Sequence, residues 1–307
     1  MRVLVLTNMW PDGAGLFGTF VADQVEDLRG GGVETSVLSF DARRAKFRYA
    51  TTVFRLRRRL RSERPDLVHA HYGLTGAVAL TQRRVPVVTT FHGSDAYVPW
   101  QRRVSSVAAR LTTPVCVSRE IAARLGRPAA TILPMAVDTD RFRPLSRAEA
   151  RRELGLDPGR PLVLFPGARA NPVKRYDLFR AALERVDAAE LVFQGYDREQ
   201  AVLALNAADA VLMTSRHEGS PVTIREALAC DTPVVSVAVG DVPDAIRGLP
   251  GCSIEPPDPQ ALADAIRGAL EAERSGSLRE RALETSRPAI AARLQALYEA
   301  VLSSPAA

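Results

Sequence analysis

Cysteine is scarce in this chain. The 307 residues contain three, Cys116, Cys230 and Cys252, each in or beside an apolar run and far from the others. Such spacing builds neither a disulfide framework nor a cysteine-ligated metal centre, and a reducing cytoplasm fits it best. Long apolar stretches are missing too. No window approaches the roughly 18 uninterrupted apolar residues that mark a membrane-spanning helix. The opening run at 3–7 follows a single arginine and is too short for the core of a secretion signal, so neither export nor a span is expected. No solenoid-length repeat and no low-complexity tract is visible.

What the chain has is size and positive charge. With 46% hydrophobic residues it can fill one large domain or two medium ones. Net charge is +6 and the pI about 9.6. Much of the excess lies at 43–64, where ten Lys or Arg residues face one acid, Glu63. Phe47, Tyr49, Val53, Phe54, Leu56 and Leu60 interleave those charges, and Val53, Leu56 and Leu60 share a helical face, which predicts an amphipathic basic helix. Nucleic acid is not an expected partner, because no base-reading fold accompanies the charge. A solvated face and a peripheral contact with an anionic membrane surface, at the inner face of the plasma membrane, both stay open.

Apolar, β-branched runs recur at 3–7, 33–40, 67–71, 85–91 and 114–117, separated by helical stretches. Strands alternating with helices imply parallel βαβ units and an open sheet covered on both faces. The rhythm restarts at 162–165, 191–194, 210–214 and 234–237. Between the two sets, 134–161 is rich in Pro, Asp and Arg and predicts one helix at 146–154, with Ser146 as its cap and Glu149 three residues later. The expected fold is therefore α/β, with two Rossmann-like parallel-sheet domains at 1–143 and 144–288. Helices are predicted at 260–272 and 290–302, and the last one, near 289–303, is expected to pack back on the first domain.

Three patterns suggest chemistry. Gly13, Gly15 and Gly18 spell G-x-G-x-x-G ahead of a helix, with Asp41 closing the second strand. In a dinucleotide fold the first glycine turns directly off the strand, whereas five residues intervene here after Thr7. A glycine-rich loop that lets Gly15 and Gly18 approach a phosphate or sugar is the preferred reading. The second pattern is 215–227, between a strand and a helix. Pro221 suits the first helical turn, so the amides of Gly219, Ser220, Val222 and Thr223 would face an anionic ligand. Glu218 precedes that helix and Glu226 lies about two turns on, too far apart to act as a close carboxylate pair. The third is His92, which ends an apolar strand and should sit at the carboxyl edge of the sheet. His69 and His71 lack a third ligand at a recognisable spacing, and Asp138-Thr139-Asp140 reads as turn chemistry, so no metal is expected.

The segment Glu218-Gly219-Ser220-Pro221 through Glu226-Ala227 to Pro233-Val234-Val235 resembles the E-x7-E signature of the retaining GT-B glycosyltransferases of family 4. Phe91-His92-Gly93-Ser94-Asp95, Val117-Ser118, Val137-Asp138, 167–174, Ala207-Ala208-Asp209 and Gly240-Asp241-Val242-Pro243 follow in the family's order, so the resemblance spans nearly the whole chain. Its flavour is that of the short branch found in exopolysaccharide and teichuronic-acid-type biosynthesis.

The resemblance implies a glycosyltransferase of hexosyl type, with a cleft between its domains, that needs no metal and no cofactor beyond its donor, a UDP- or GDP-sugar. It implies that Arg169 and Lys174 hold the diphosphate, Glu226 the ribose and Glu218 the donor sugar. Gly219, Ser220, Pro221 and Val222 would line the donor, and His92 would lie against it from the acceptor side. The acceptor would be a glycan, a lipid-linked or a small molecule. A catalytically silent nucleotide-sugar binder, an epimerase or phosphorylase of the same fold, and a nicotinamide oxidoreductase are the competing readings. The second domain is short, and this leaves the base open.

Overall fold

A parallel strand must be followed by a crossover that returns the chain to its starting edge, and helix-forming stretches separate the apolar runs throughout. A computed structural model of the chain describes residues 1–11, 18–42 and 47–304. In chain order it runs β1 (Arg2–Thr7), α1 (Thr19–Gly30), β2 (Glu34–Ser39), α2 (Arg48–Ser62), β3 (Leu67–His71), α3 (Gly73–Ala79), β4 (Val87–Phe91), α4 (Ser94–Tyr97), α5 (Pro99–Leu111), β5 (Thr113–Cys116), α6 (Arg119–Arg124) and β6 (Thr131–Ile132). Then follow α7 (Arg147–Glu153), β7 (Leu162–Phe165), α8 (Tyr176–Leu183), β8 (Ala189–Val192), α9 (Arg198–Ala207), β9 (Ala210–Met213), α10 (Val222–Ala229), β10 (Val234–Val237), α11 (Val242–Ile246), β11 (Ser253–Glu255), α12 (Pro259–Glu271), α13 (Ser277–Leu283) and α14 (Arg287–Ser303).

The strands form two sheets, ordered β2-β1-β3-β4-β5-β6 and β11-β10-β9-β7-β8, and every pairing within them is parallel. In each, the chain first steps outward, β1 to β2 or β7 to β8, and then crosses back to start the other half. The strand order therefore reverses between β1 and β3 and between β7 and β9. Loops that leave a reversal point in opposite directions open a crevice at the carboxyl ends of the strands, where open α/β sheets bind ligands.

The chain divides into two units, residues 1–135 with 287–307 and residues 136–286. The first boundary lies ahead of residue 143. Val137 pairs with Ser286, Phe142 is buried in the second core, and Arg279 donates to the carbonyls of Phe142, Thr139 and Ala229. In the first unit α14 contacts α1. Arg287 donates to both carboxylate oxygens of Asp27 at 2.9 and 3.0 Å, and Tyr298, fully buried, shares a 2.6 Å hydrogen bond with Nδ1 of His69. Replacing Tyr298 by Phe would leave that imidazole nitrogen buried without a partner. The expected cost is about 1–3 kcal/mol, read as a lower denaturation midpoint.

The basic helix departs from expectation. Leu56 and Leu60 of α2 are buried with Leu4, Leu6, Leu38 and Val68 in the first unit's core, and Val53 packs against them. The apolar stripe seen in the sequence is core packing and is not available to a membrane. The strand expected at 191–194 lies at 189–192 instead. Ala189 and Glu190 are weak strand formers by propensity, but Leu162 and Val163 recruit them into register. Strands β6 and β11, two and three residues long, are too short to stand out as apolar runs.

Candidate active site

Two loops leave the reversal point of the second unit, one after β7 and one after β9. They are stitched together. Thr214 donates from Oγ1 to the carbonyls of Lys174 and Arg175, at 2.8 and 3.0 Å, and the Arg216 amide donates to Val173 at 2.8 Å. The stem of Lys174 passes over Gly167 so closely that a Cβ there would meet its Cγ, Cδ and Cε at 3.0 to 3.2 Å. The stitching carries Nζ of Lys174 to Oε1 of Glu218, 2.8 Å away, with both side chains largely out of solvent.

Past Glu218 the chain enters α10, with Pro221 as the residue before the helix, one place earlier than the sequence suggested. A buried latch fixes this entry. Asp241 accepts from the Ser220 hydroxyl at 2.8 Å and forms an ion pair with Arg225, whose relative exposure is 4%. Gly240 sits at φ +55°, and a Cβ there would lie 2.6 Å from the Gly219 carbonyl, so only glycine lets the two loops meet so closely. Nε and Nη1 of Arg225 and Oδ1 of Asp241 are buried with no protein partner. The spacing Ser220, Arg225, Asp241 carries no signal in sequence, and reasoning from motifs missed the latch.

Glu226 forms no hydrogen bond or ion pair through its carboxylate among the described residues. Burial raises its pKa to about 7, with Arg198 pulling the other way and Asp138 adding to the rise. A carboxyl that surrounds itself with no donor keeps its acceptor capacity for a ligand. Arg169 is placed differently from Lys174. It donates from Nη2 to Glu190 at 2.5 Å and lies 5.4 Å from the Tyr176 ring centre, with half its side chain exposed. Glu190 also accepts from Tyr176 at 2.7 Å and from Arg180 at 3.3 Å. Burial pushes the Glu190 carboxyl up, but the Tyr176 hydroxyl and the two guanidiniums outweigh it and hold the group below its ordinary value. The two cations expected to act as a pair are thus each held by a separate acid.

In the first unit, His92 follows β4 directly. Its amide donates to Oδ2 of Asp95 at 2.8 Å, while Gly73 donates to Oδ1 at 2.7 Å. Burial lifts the Asp95 pKa to about 6 against the pull of the amides of Gly73, His92 and Gly93 and the Ser105 hydroxyl. The His92 ring stacks on His71, with Nε2 3.1 Å from His71 Nδ1, and lies 5.0 Å from Phe20 and 4.8 Å from Tyr72 between ring centres. Burial, then the neighbouring His71, hold its pKa well below the usual imidazole range, so the ring is neutral. Both nitrogens of His69 are occupied, by Thr90 at 2.7 Å and by Tyr298.

Gly18, at φ +72°, starts α1, and a Cβ there would meet the Trp10 amide nitrogen at 2.7 Å. This glycine is required by a close backbone approach, whatever it binds. Gly15 lies outside the described residues. Asp138 accepts from the Arg141 amide at 3.0 Å, the turn role read for it.

Comparison with known proteins gives matches over both units. A model of glycosyltransferase family 4 matches residues 2–141, and one of glycosyl transferases group 1 matches 177–272. A Bacillus subtilis glycosyltransferase assigned to teichuronic acid biosynthesis is 28% identical over 236 residues, covering 66% of this chain and 60% of that one. A D-inositol 3-phosphate glycosyltransferase of Nocardia farcinica is 32% identical over 269 residues, covering 68% and 59%. The chain thus spans about three fifths of the length of these curated relatives. Among solved structures, sucrose-phosphate synthase from Thermosynechococcus elongatus superposes with a TM-score of 0.83 at 19% identity, over 99% of this chain and 100% of that one. Anabaena HepE, in complex with UDP, gives 0.73 at 15%, over 98% and 100%. At these identities the likeness speaks for the fold, two helix-flanked parallel sheets of the GT-B kind. The chain belongs to glycosyltransferase family 4.

Proposed function

We propose that the chain moves a sugar from a nucleoside-diphosphate sugar to a hydroxyl-bearing acceptor with retention of configuration. The observation that carries this reading is the edge of the second sheet, where Lys174, Glu218 and the start of α10 converge at the reversal point. When the glycosidic bond breaks, the leaving diphosphate gains negative charge. A cation already in place, together with the amide dipoles at a helix start, stabilises that charge without reorganising. We assign the cation to Lys174, with Arg169 as a second, more exposed charge. Gly219, Ser220, Pro221 and Val222 form the helix entry beside the diphosphate. Glu218 accepts from donor-sugar hydroxyls and Glu226 from the ribose.

His92, being neutral, can exchange hydrogen bonds with a hydroxyl on the acceptor side without adding charge. The acceptor oxygen bonds to the anomeric carbon as the phosphate oxygen leaves, and the departing phosphate takes the hydroxyl proton on the same face. HepE binds UDP in its solved complex, which favours uridine over guanosine as the base. The transferred group is a hexose, and the acceptor a glycan, a lipid-linked or a small molecule.

A thermal-shift screen of nucleoside diphosphates and their sugars tests the donor site, since a ligand that binds only the native state raises the melting temperature. A shift with UDP or GDP that Glu226→Ala removes is the expected result, and no shift with any of them would sink the reading. Binding without turnover on any acceptor would favour a silent subunit, and turnover with phosphate in place of an acceptor a phosphorylase. The titration of Glu226 gives the screen a pH signature. Ionised, the carboxylate accepts both ribose hydroxyls, and protonated it has given up part of that capacity. With its pKa at about 7, affinity for the nucleotide sugar should rise roughly ten-fold from pH 6 to pH 8. Glu226→Gln should flatten the profile, as calorimetric titration would show.

A further inference from the structure

The basic helix α2 turns its apolar stripe to the core, and its opposite face remains to be explained. Along that face Phe47 and Phe54 are 69% and 72% exposed, with Arg57, Arg58 and Arg61 beside them. Helix α3 contacts both α2 and α5, so the three helices form one layer over the first sheet. The outer side of α5 repeats the pattern. Trp100, Val107 and Leu111 are each more than half exposed, and Arg103 and Arg110 lie among them. Neither α2, α3 nor α5 contains a single Asp or Glu. Five of the eight large hydrophobic side chains exposed among the described residues lie on α2, on α5 or at their ends.

Exposed aromatics grouped on one face mark a surface that a partner covers, and a layer of arginines with no acid among them fits a negatively charged one. We propose that the outer face of α2 and α5 docks on an anionic lipid surface. Guanidiniums bind the headgroup charges while Phe47, Phe54 and Trp100 enter the boundary between headgroups and acyl chains. Among the described residues no helix is long and apolar enough to cross a membrane, so the contact is peripheral.

Topology adds direction. Each of these helices follows a parallel strand and so begins near the carboxyl edge of the first sheet, the edge that carries His92. Phe47 and Trp100, at the starts of α2 and α5, set that edge toward the lipid. Resting on the proposed transfer, this makes the acceptor a lipid-linked one.

Sedimentation with vesicles tests the docking without donor or acceptor present, so its failure leaves the donor site untouched. The chain should sediment with phosphatidylglycerol–phosphatidylcholine vesicles at 0.1 M salt and stay in solution with phosphatidylcholine alone. Because Phe54, Arg57 and Arg58 are exposed, their replacement leaves the fold intact, and an unchanged melting temperature verifies that. Arg57→Gln with Arg58→Gln should lower the partition coefficient roughly thirty-fold, at about 1 kcal/mol per cation. Phe54→Ser should lower it further. Equal sedimentation with both vesicles, none with either, or binding that these variants do not weaken would overturn the proposal. So would capture of a single-stranded oligonucleotide through the same arginines at the same salt, with no lipid binding.

Discussion

Lys174→Ala should lower kcat/KM for the nucleotide sugar by about 10²–10³-fold, the range seen when one preorganised donor to a developing oxyanion is removed. That corresponds to roughly 2.7–4 kcal/mol of transition-state stabilisation. The expectation rests on geometry. Nζ is delivered to Glu218 by a stem laid across Gly167, and the loop around it is held from two sides by Thr214 and Arg216. A cation so placed needs no rearrangement when the diphosphate begins to leave. Composition supports the same point. The chain has 41 basic residues, of which only Lys46 and Lys174 are lysine. In a chain that otherwise uses arginine, a compact charge at 174 suits a site where Gly167 leaves room for a thin stem and little for a planar fork. Lys174→Arg should therefore recover only a small part of the loss. Steady-state kinetics with a donor-hydrolysis or transfer readout measures both variants. A Lys174→Ala enzyme within about three-fold of the parent would remove this residue from the mechanism.

Asp241→Ala should destabilise the second unit by about 3–5 kcal/mol, the usual cost of stripping one partner from a buried ion pair. Arg225 already leaves two of its guanidinium nitrogens without protein partners, and among the described residues Asp241 is the anion it pairs with. Without it a full charge remains inside the fold. The Ser220 hydroxyl loses its acceptor at the same time. Replacing both members, Arg225→Met with Asp241→Leu, should restore most of the lost stability, because the desolvation penalty goes with the charge. The double variant should still bind the donor poorly, since nothing then ties Gly219 and Ser220 to the turn at Gly240. Chemical denaturation gives the first comparison and a nucleotide-sugar titration the second. Equal stability of Asp241→Ala and parent would mean that the latch carries no weight.

Local patterns reveal some of these features and conceal others. The strands at 67–71, 162–165 and 234–237 fall where their apolar runs say they should, because a strand buried on both faces reads as a short, mostly apolar run without alternation. The cap at Ser146 is equally local, and its side chain accepts from the Glu149 amide. Partner choice is a different matter. That Arg169 goes to Glu190 and Lys174 to Glu218 depends on which strands are neighbours in the sheet, and β7 pairs with both β8 and β9. Arg225 finds Asp241 only because Gly240 permits a backbone contact across 21 residues. The stripe of Leu56 and Leu60 was legible as an apolar face, but periodicity does not say whether sheet or lipid covers it. The unit boundary before Ala136 depends on Val137 meeting Ser286, a contact that no window along the chain can contain.

The return of α14 to the first unit has a consequence for how the protein is made. A ribosome delivers residues 136–286 before it delivers Tyr298, so the second sheet can close while the first still lacks the side chain that satisfies His69. Residues 1–135 must wait, with one buried imidazole short of a partner, until translation has passed through the whole of the later unit.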